Sequence, residues 1–266
     1  RFRQFSRSWK PGERILVPRP SYPLLNFLAD LNDVELDSYR LRYEKLGWEI
    51  DMESLRQACR AETKAIVLIH PNNPTGSFVK KTELDPIVKL AQEKSLALIA
   101  DEVFLDYPFS DSNERAPSFA SISGAVTFTL SGISKVLGLP QMKLAWIAAN
   151  GPKGSIEPMI ERLELILDTY LSVGTPVQNA LGVWFRSKQI IQDEIKSRTQ
   201  GNRSFLLKHL AGSKSIQPLA SEGGWYAILS VPESKSDEAW ALELLEKDRV
   251  YLHPGYFFDF EEEGRL

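Results

Sequence analysis

The sequence predicts an α/β fold, with a mostly parallel sheet and flanking helices over residues 1–154. Connecting helices and a smaller α+β part follow over residues 155–266. Three observations predict it. Short apolar runs, Ala65–Ile69, Leu96–Ala100 and Ala125–Leu130, are each closed by a polar segment. A helix-period stretch lies between the first two, which is the pattern of strand–helix–strand units with right-handed crossovers. From Ser155 the pattern changes to long helices, and the closing stretch mixes short strands with one helix.

Taken in order, Arg1–Lys10 is basic and polar, and Pro11-Gly12 turns the chain into a strand over Arg14–Val17. Pro18-Arg19-Pro20-Ser21-Tyr22-Pro23 makes a rigid loop that opens a helix reaching Leu31. Val34–Leu41 alternates as a strand, and Asp51 is placed to cap a helix over Met52–Cys59. The strand Ala65–Ile69 follows, then a helix over Thr82–Glu93 with apolar residues on one face, then the strand Leu96–Ala100. A long polar loop, Tyr107–Ser123, leads to the strand Ala125–Leu130, and a further strand over Lys143–Ala149 closes this half. Beyond it, Ile156–Asp168 is one helix and Pro176–Leu210 one or two, with Trp184, Phe185, Ile190, Ile191, Ile195, Leu206 and Leu207 as a core-facing stripe. Strands over Ser215–Pro218, Trp225–Leu229 and Val250–Leu252 surround a helix over Asp237–Lys247.

The chemistry gathers where strands end. Lys135, in Ser131-Gly132-Ile133-Ser134-Lys135, sits just past the carboxyl end of a strand, where open α/β sheets place their ligands. A lysine there, partly desolvated by apolar neighbours, is suited to attack a carbonyl; taken alone, it reads as a surface residue on a loop. His70-Pro71-Asn72-Asn73-Pro74-Thr75-Gly76 closes one strand with turn chemistry. Asp101-Glu102 ends another with two carboxylates, which need partners at a buried strand end. An asparagine, a carboxylate and a lysine, each at the end of its own strand, would converge on one crevice.

In this order, Asn-Pro-Thr-Gly, Asp-Glu, Ser-x-x-Ser-Lys and a basic residue eight positions beyond the lysine, the chain resembles the fold-type I pyridoxal-phosphate (PLP) aminotransferases of class I/II. The resemblance implies that fold and a PLP-dependent aminotransferase. Lys135 would carry pyridoxal 5′-phosphate as its internal aldimine, Asp101 would pair with the pyridinium nitrogen, and Asn73 would hydrogen-bond the phenolic oxygen. Ser131, and Lys143 where the family more often has arginine, would bind the phosphate, and Tyr22 would stack on the ring. Trp225 and Tyr256, the latter in a Pro-Gly-x-x-Phe-like segment, would face the substrate. Lining by Tyr22, Trp225 and Tyr256 favours neutral or aromatic amino acids over acidic ones. The family's usual homodimer, with a loop like Thr169–Pro176 reaching the neighbouring site, is expected.

The chain also departs from the family. Phe104 stands where many relatives have a tyrosine that donates to the phenolic oxygen, which leaves that oxygen less stabilised; Tyr107 is no obvious substitute. A decarboxylase or carbon–sulfur lyase using the same Lys135 and Asp101, or the aminotransferase-like domain of a regulator, stays open at this stage. The family's N-terminal phosphate-cupping loop and C-terminal carboxylate-binding arginine are not read here, and Arg265 is not a clear replacement. The 266 residues therefore read as a piece of a longer enzyme, expected to hold PLP weakly on its own and to turn over nothing.

Composition narrows the classes. With 43% hydrophobic and 25% charged residues and a net charge of -3, the chain has the make-up of a globular protein and argues against nucleic-acid or membrane-surface partners. Its one cysteine, Cys59, allows neither an intramolecular disulfide nor a cysteine metal cluster. His70, His209 and His253 lack metal-ligand spacing and read as structural or merely near the site. No leader or membrane-length apolar run is read, so a cytoplasmic protein is expected.

Overall fold

The computed structural model describes residues 12–45 and 47–266; the basic segment Arg1–Lys10 and Pro11 of the expected turn lie outside the described residues. A seven-stranded sheet organises the first part. Its strands are β1 (Arg14–Arg19), β2 (Glu35–Glu44), β3 (Gly47–Ile50), β4 (Thr63–Ile69), β5 (Ala97–Asp101), β6 (Thr127–Gly132) and β7 (Ala145–Asn150), in spatial order β3-β2-β1-β4-β5-β6-β7. The five strands from β2 through β6 are parallel, whereas the edge strands β3 and β7 are antiparallel to their neighbours. The chain leaves β1 in one direction for β2 and in the other for β4. The crevice beyond the carboxyl ends of β1 and β4 is therefore a topological switch point.

Alternation along the strands splits the core into two layers. Ile66, Leu68, Leu98 and Ala100 face the helix α3 (Lys81–Lys94), whose Leu84, Ile87, Leu90 and Ala91 are buried against them. Ala65, Val67, Ile99 and Phe128 face the opposite layer, where Leu25 and Ala29 of α1 (Leu24–Asp30) and Leu163 of α5 (Glu157–Asp168) pack. The helices start for local reasons. Asp51 caps α2 (Met52–Ala58) by accepting from the Ser54 N–H at 3.1 Å, as expected. Glu83 in the first turn of α3 accepts from the N–H groups of Lys80 and Ile50, both at 2.7 Å, and so ties β3 to α3. The short α4 (Ile133–Val136) carries Lys135 directly after β6.

The later residues form α6 (Thr175–Arg186), α7 (Lys188–Leu210), a two-stranded ladder of β8 (Gln217–Pro218) with β9 (Leu229–Ser230), and α8 (Asp237–Asp248). The buried Asp237 carboxylate accepts from the backbone N–H groups of Gly264, Arg265 and Gly255 at 2.6, 3.0 and 3.2 Å, which binds the last residues to α8. Among the described residues no helix is long and apolar enough to cross a membrane.

Several expectations are corrected. Of the strand expected over Trp225–Leu229, only its last residue is extended and paired, because Gly223 and Gly224 spend their N–H groups on Gly76 O (3.0 Å) and Tyr107 O (2.9 Å) instead of on a ladder. No strand forms over Val250–Leu252. The Val250 N–H closes back on Leu244 O at 3.2 Å, and the Tyr251 ring packs on His253. The strand expected from Lys143 begins at Ala145. The helical stripe is not a core: Phe185, Ile190 and Leu207 are exposed, while Trp184 packs partly against a cluster built on Ile133, Val136 and Leu137.

The backbone at Gly223 passes close to the chain's own loops. A Cβ on Gly223 would lie 2.6 Å from Tyr107 O and 2.8 Å from the Phe78 ring. We expect Gly223→Ala to cost about 1–3 kcal/mol in urea unfolding. Gly212→Ala, at a position with nothing within 4 Å, should change the midpoint far less.

Candidate active site

Four of the sequence-predicted residues meet. Tyr22 follows β1, Asn73 follows β4, Asp101 ends β5 and Lys135 follows β6, and all four line one cavity of about 260 Å³. Its walls are apolar and come from the α1 layer, among them Leu25, Val67, Ile99 and Leu130. The period of two explains why one carboxylate of the Asp101-Glu102 pair reaches the cavity. Asp101 continues the Ile99 face, whereas Glu102 turns to the other layer. There it accepts from the Ser118 hydroxyl and the Phe119 N–H, each at 2.6 Å, and holds the long loop after β5.

The Asp101 carboxylate accepts one hydrogen bond, from the Val103 N–H at 3.1 Å. Removal from water pushes its carboxyl above the usual range, while that N–H and the Lys135 ammonium pull it back. Asn73 is aimed by a self-contained turn. Asn72 Oδ1 accepts from the Thr75 N–H and hydroxyl at 3.3 and 3.0 Å, the Asn72 N–H reaches Ser77 O at 2.8 Å, and the Gly76 N–H reaches Asn72 O at 2.8 Å. Asn73 Oδ1 is buried with no partner.

Lys135 is fixed from behind. The Tyr107 hydroxyl donates to its carbonyl at 2.5 Å, and Gln192 of α7 donates to Val136 O at 3.0 Å and to Asp106 at 2.9 Å. In front, Lys135 Nζ lies 5.4 Å from the Phe104 ring centre and 5.1 Å from that of Trp225. These two rings meet edge-on at 5.1 Å, and Tyr107 meets Trp225 in the same way.

The remaining expected residues are placed differently. Trp225 stands over Lys135 without lining the cavity itself. Ser131 pairs with Trp146 across β6 and β7 and does not line the cavity. Lys143 is exposed, in a separate cleft beside Trp146 and Leu171. Tyr256 is 51% exposed and packs on Phe257, so it does not line the cavity either. Leu171, in the loop between α5 and α6, is fully exposed.

Sequence reasoning missed Tyr226, which lines the cavity together with Asn73. It also missed Glu222, whose carboxylate accepts from the Phe78 N–H at 2.8 Å and from Lys80 Nζ at 2.5 Å. These contacts staple the Trp225-Tyr226 segment beside the Asn73 turn. The run Glu222-Gly-Gly-Trp-Tyr was a visible signal, but a strand reading puts Trp225 and Tyr226 on opposite faces.

The donor set fits the ring end of pyridoxal phosphate. It offers a carboxylate with an oxygen to spare, an asparagine amide, an amine and an aromatic wall. The expected phosphate ligands, Ser131 and Lys143, are not among the residues that line this cavity.

A family model described as aminotransferase class I and II matches residues 4–266. The glutamate-pyruvate aminotransferase AlaA of Haemophilus influenzae is 30% identical over 258 residues, which are 94% of this chain and 63% of that protein. The tyrosine aminotransferase of Mus musculus is 27% identical, over 94% of this chain and 56% of that protein. Among solved structures, an alanine aminotransferase from Pyrococcus furiosus superposes with a TM-score of 0.89 at 25% identity, covering 99% of this chain and 67% of that one. The chain thus spans less than two thirds of the length of these curated relatives.

His70, at the base of the Asn73 turn, is fully buried and accepts from the Val79 N–H at Nδ1 (3.0 Å). Burial, with Lys80 and Arg115 nearby, pulls its imidazole down to about 4. Its unfolded value is near 6.5, so the unfolded chain takes up the proton first as pH falls. His70 therefore contributes stability that is complete above about pH 6.5 and lost as pH falls toward 4. Neighbouring carboxyls with raised values act in the opposite sense, so the readout is a difference. Relative to His70→Gln, the chain should lose up to about 3 kcal/mol more across that window in urea titrations.

Proposed function

The chain belongs to the class I and II aminotransferases, and on that premise we propose that it moves an amino group between an L-amino acid and a 2-oxo acid with pyridoxal 5′-phosphate. The observation that carries this reading is the convergence of Tyr22, Asn73, Asp101 and Lys135 on one apolar cavity at the carboxyl ends of β1, β4, β5 and β6. In it, residues 1–154 form the cofactor-binding part and residues 155–266 the connecting helices and small part.

When bound, pyridoxal phosphate supplies an electron sink for the charge left on the substrate Cα. The chain's own residues do the rest. Lys135 Nζ would be the attachment point and, once free, would take the substrate Cα proton and later give it up. The Phe104 and Trp225 rings shield that nitrogen from water. The Asp101 carboxylate would hold a proton on the ring nitrogen, Asn73 would donate to the phenolic oxygen, and Tyr22 would cover the ring. The apolar lining supports neutral or aromatic substrates, since an acidic side chain would call for a second cation. A cytoplasmic location and a homodimer belong to the same reading, the homodimer supported by the exposed Leu24 and Phe27 of α1 and by Leu31 just past it.

Borohydride reduction of the chain supplied with PLP should leave a pyridoxyl adduct on Lys135 in the peptide mass map, and none in Lys135→Ala. An adduct spread over surface lysines would overturn the reading. Asp101→Asn should keep the adduct but slow formation of the keto acid by about a hundredfold or more. Release of an amine, or of ammonia with pyruvate, would point to decarboxylase or lyase chemistry instead.

A further inference from the structure

The wall of the cavity holds one more hydrogen-bonding group than the reading above uses. Tyr226 lines the same cavity as Asn73, Asp101 and Lys135, and its ring meets Phe104 edge-on with centres 6.0 Å apart. The Asn73 amide lies close enough to the Tyr226 phenol to favour loss of its proton, so its N–H side faces the phenol oxygen. A phenol that faces an N–H keeps its own proton to give. Among the described residues no acceptor for that proton is seen. Phe104, which packs against Tyr226, offers no hydroxyl.

We infer that Tyr226, which lines the cavity with Asn73, is the hydroxyl donor to the phenolic oxygen of the bound cofactor, a part that Phe104 cannot play. The inference rests on the proposed function. Burial, with the Tyr22 hydroxyl nearby, holds the Tyr226 phenol above its ordinary value, so it is a donor at neutral pH. The other titratable groups lining the cavity are Tyr22, Asp101 and Lys135. Tyr226 belongs to the segment stapled by Glu222 to the Asn73 turn, so donor and amide are held by one piece of structure.

A donor to the phenolic oxygen weakens that oxygen's hold on the proton it shares with the nitrogen of Lys135. The test is a pH titration of the visible absorbance of the PLP-loaded chain, with the adduct on Lys135 mapped separately. Tyr226→Phe should raise the proton affinity of the bound cofactor by about tenfold, the effect of one lost charge-assisted hydrogen bond. Adding Phe104→Tyr should bring it back. A fluorinated tyrosine at 226, a stronger donor of nearly the same shape, should shift the titration the other way, which keeps the test decisive even if Tyr226→Phe folds poorly. A bound cofactor whose titration none of these changes moves would overturn the inference alone. A shift in Tyr226→Phe that Phe104→Tyr leaves in place would do the same, assigning the effect to packing. Absence of any cofactor on Lys135 in the unsubstituted chain would overturn the proposed function and this inference with it.

Discussion

A parallel sheet imposes a constraint that the site inherits: it delivers side chains at one end of its strands and, by alternation, to one of two faces. The four sequence-predicted residues of the cavity satisfy both conditions. Tyr22, Asn73, Asp101 and Lys135 sit at the carboxyl ends of four strands, on the α1 side of the sheet. Glu102 satisfies only the first. One residue beyond Asp101, it ends in the opposite layer as a fastener for the loop after β5. Two adjacent carboxylates thus do unlike work because of a single step along the backbone.

The second ingredient is support from far along the chain. The short helix that carries Lys135 has its carbonyls tied by Tyr107 and by Gln192 of α7, and Asp106 joins Gln192 and Lys188 to the same corner. The Asn73 turn is closed by its own side chains and then covered by the Glu222–Tyr226 segment, through Glu222 to Phe78 and Lys80 and through Gly223 to Gly76. The aromatic rings over the amine therefore have fixed partners on both sides.

The parallel sheet, the α3 face and the Asp51 cap were legible because each rests on local pattern: apolar runs, a one-sided helix and a capping residue. Tyr22, Asn73, Asp101 and Lys135 were legible because each lies within a few residues of such a run. Tyr107, Gln192 and Tyr226 were not, since their roles depend on segments distant in sequence. Of the strand expected over Trp225–Leu229 only the end pairs, with β8, and Val250–Leu252, despite β-type composition, forms no ladder. The α7 stripe had helical period yet found little to pack on in this chain.

The seam at Gly76 and Gly223 has a consequence for what sequences this architecture can tolerate. A side chain on Gly76, which has φ of +68°, would strike Gly223 O at 2.4 Å, whereas one on Gly223 would strike Tyr107 O and the Phe78 ring. The two glycines obstruct different neighbours, so shrinking one partner cannot make room at the other. Sequence drift in the turn and in the distant segment that covers it is thereby locked together, and the contact is inherited whole or lost whole.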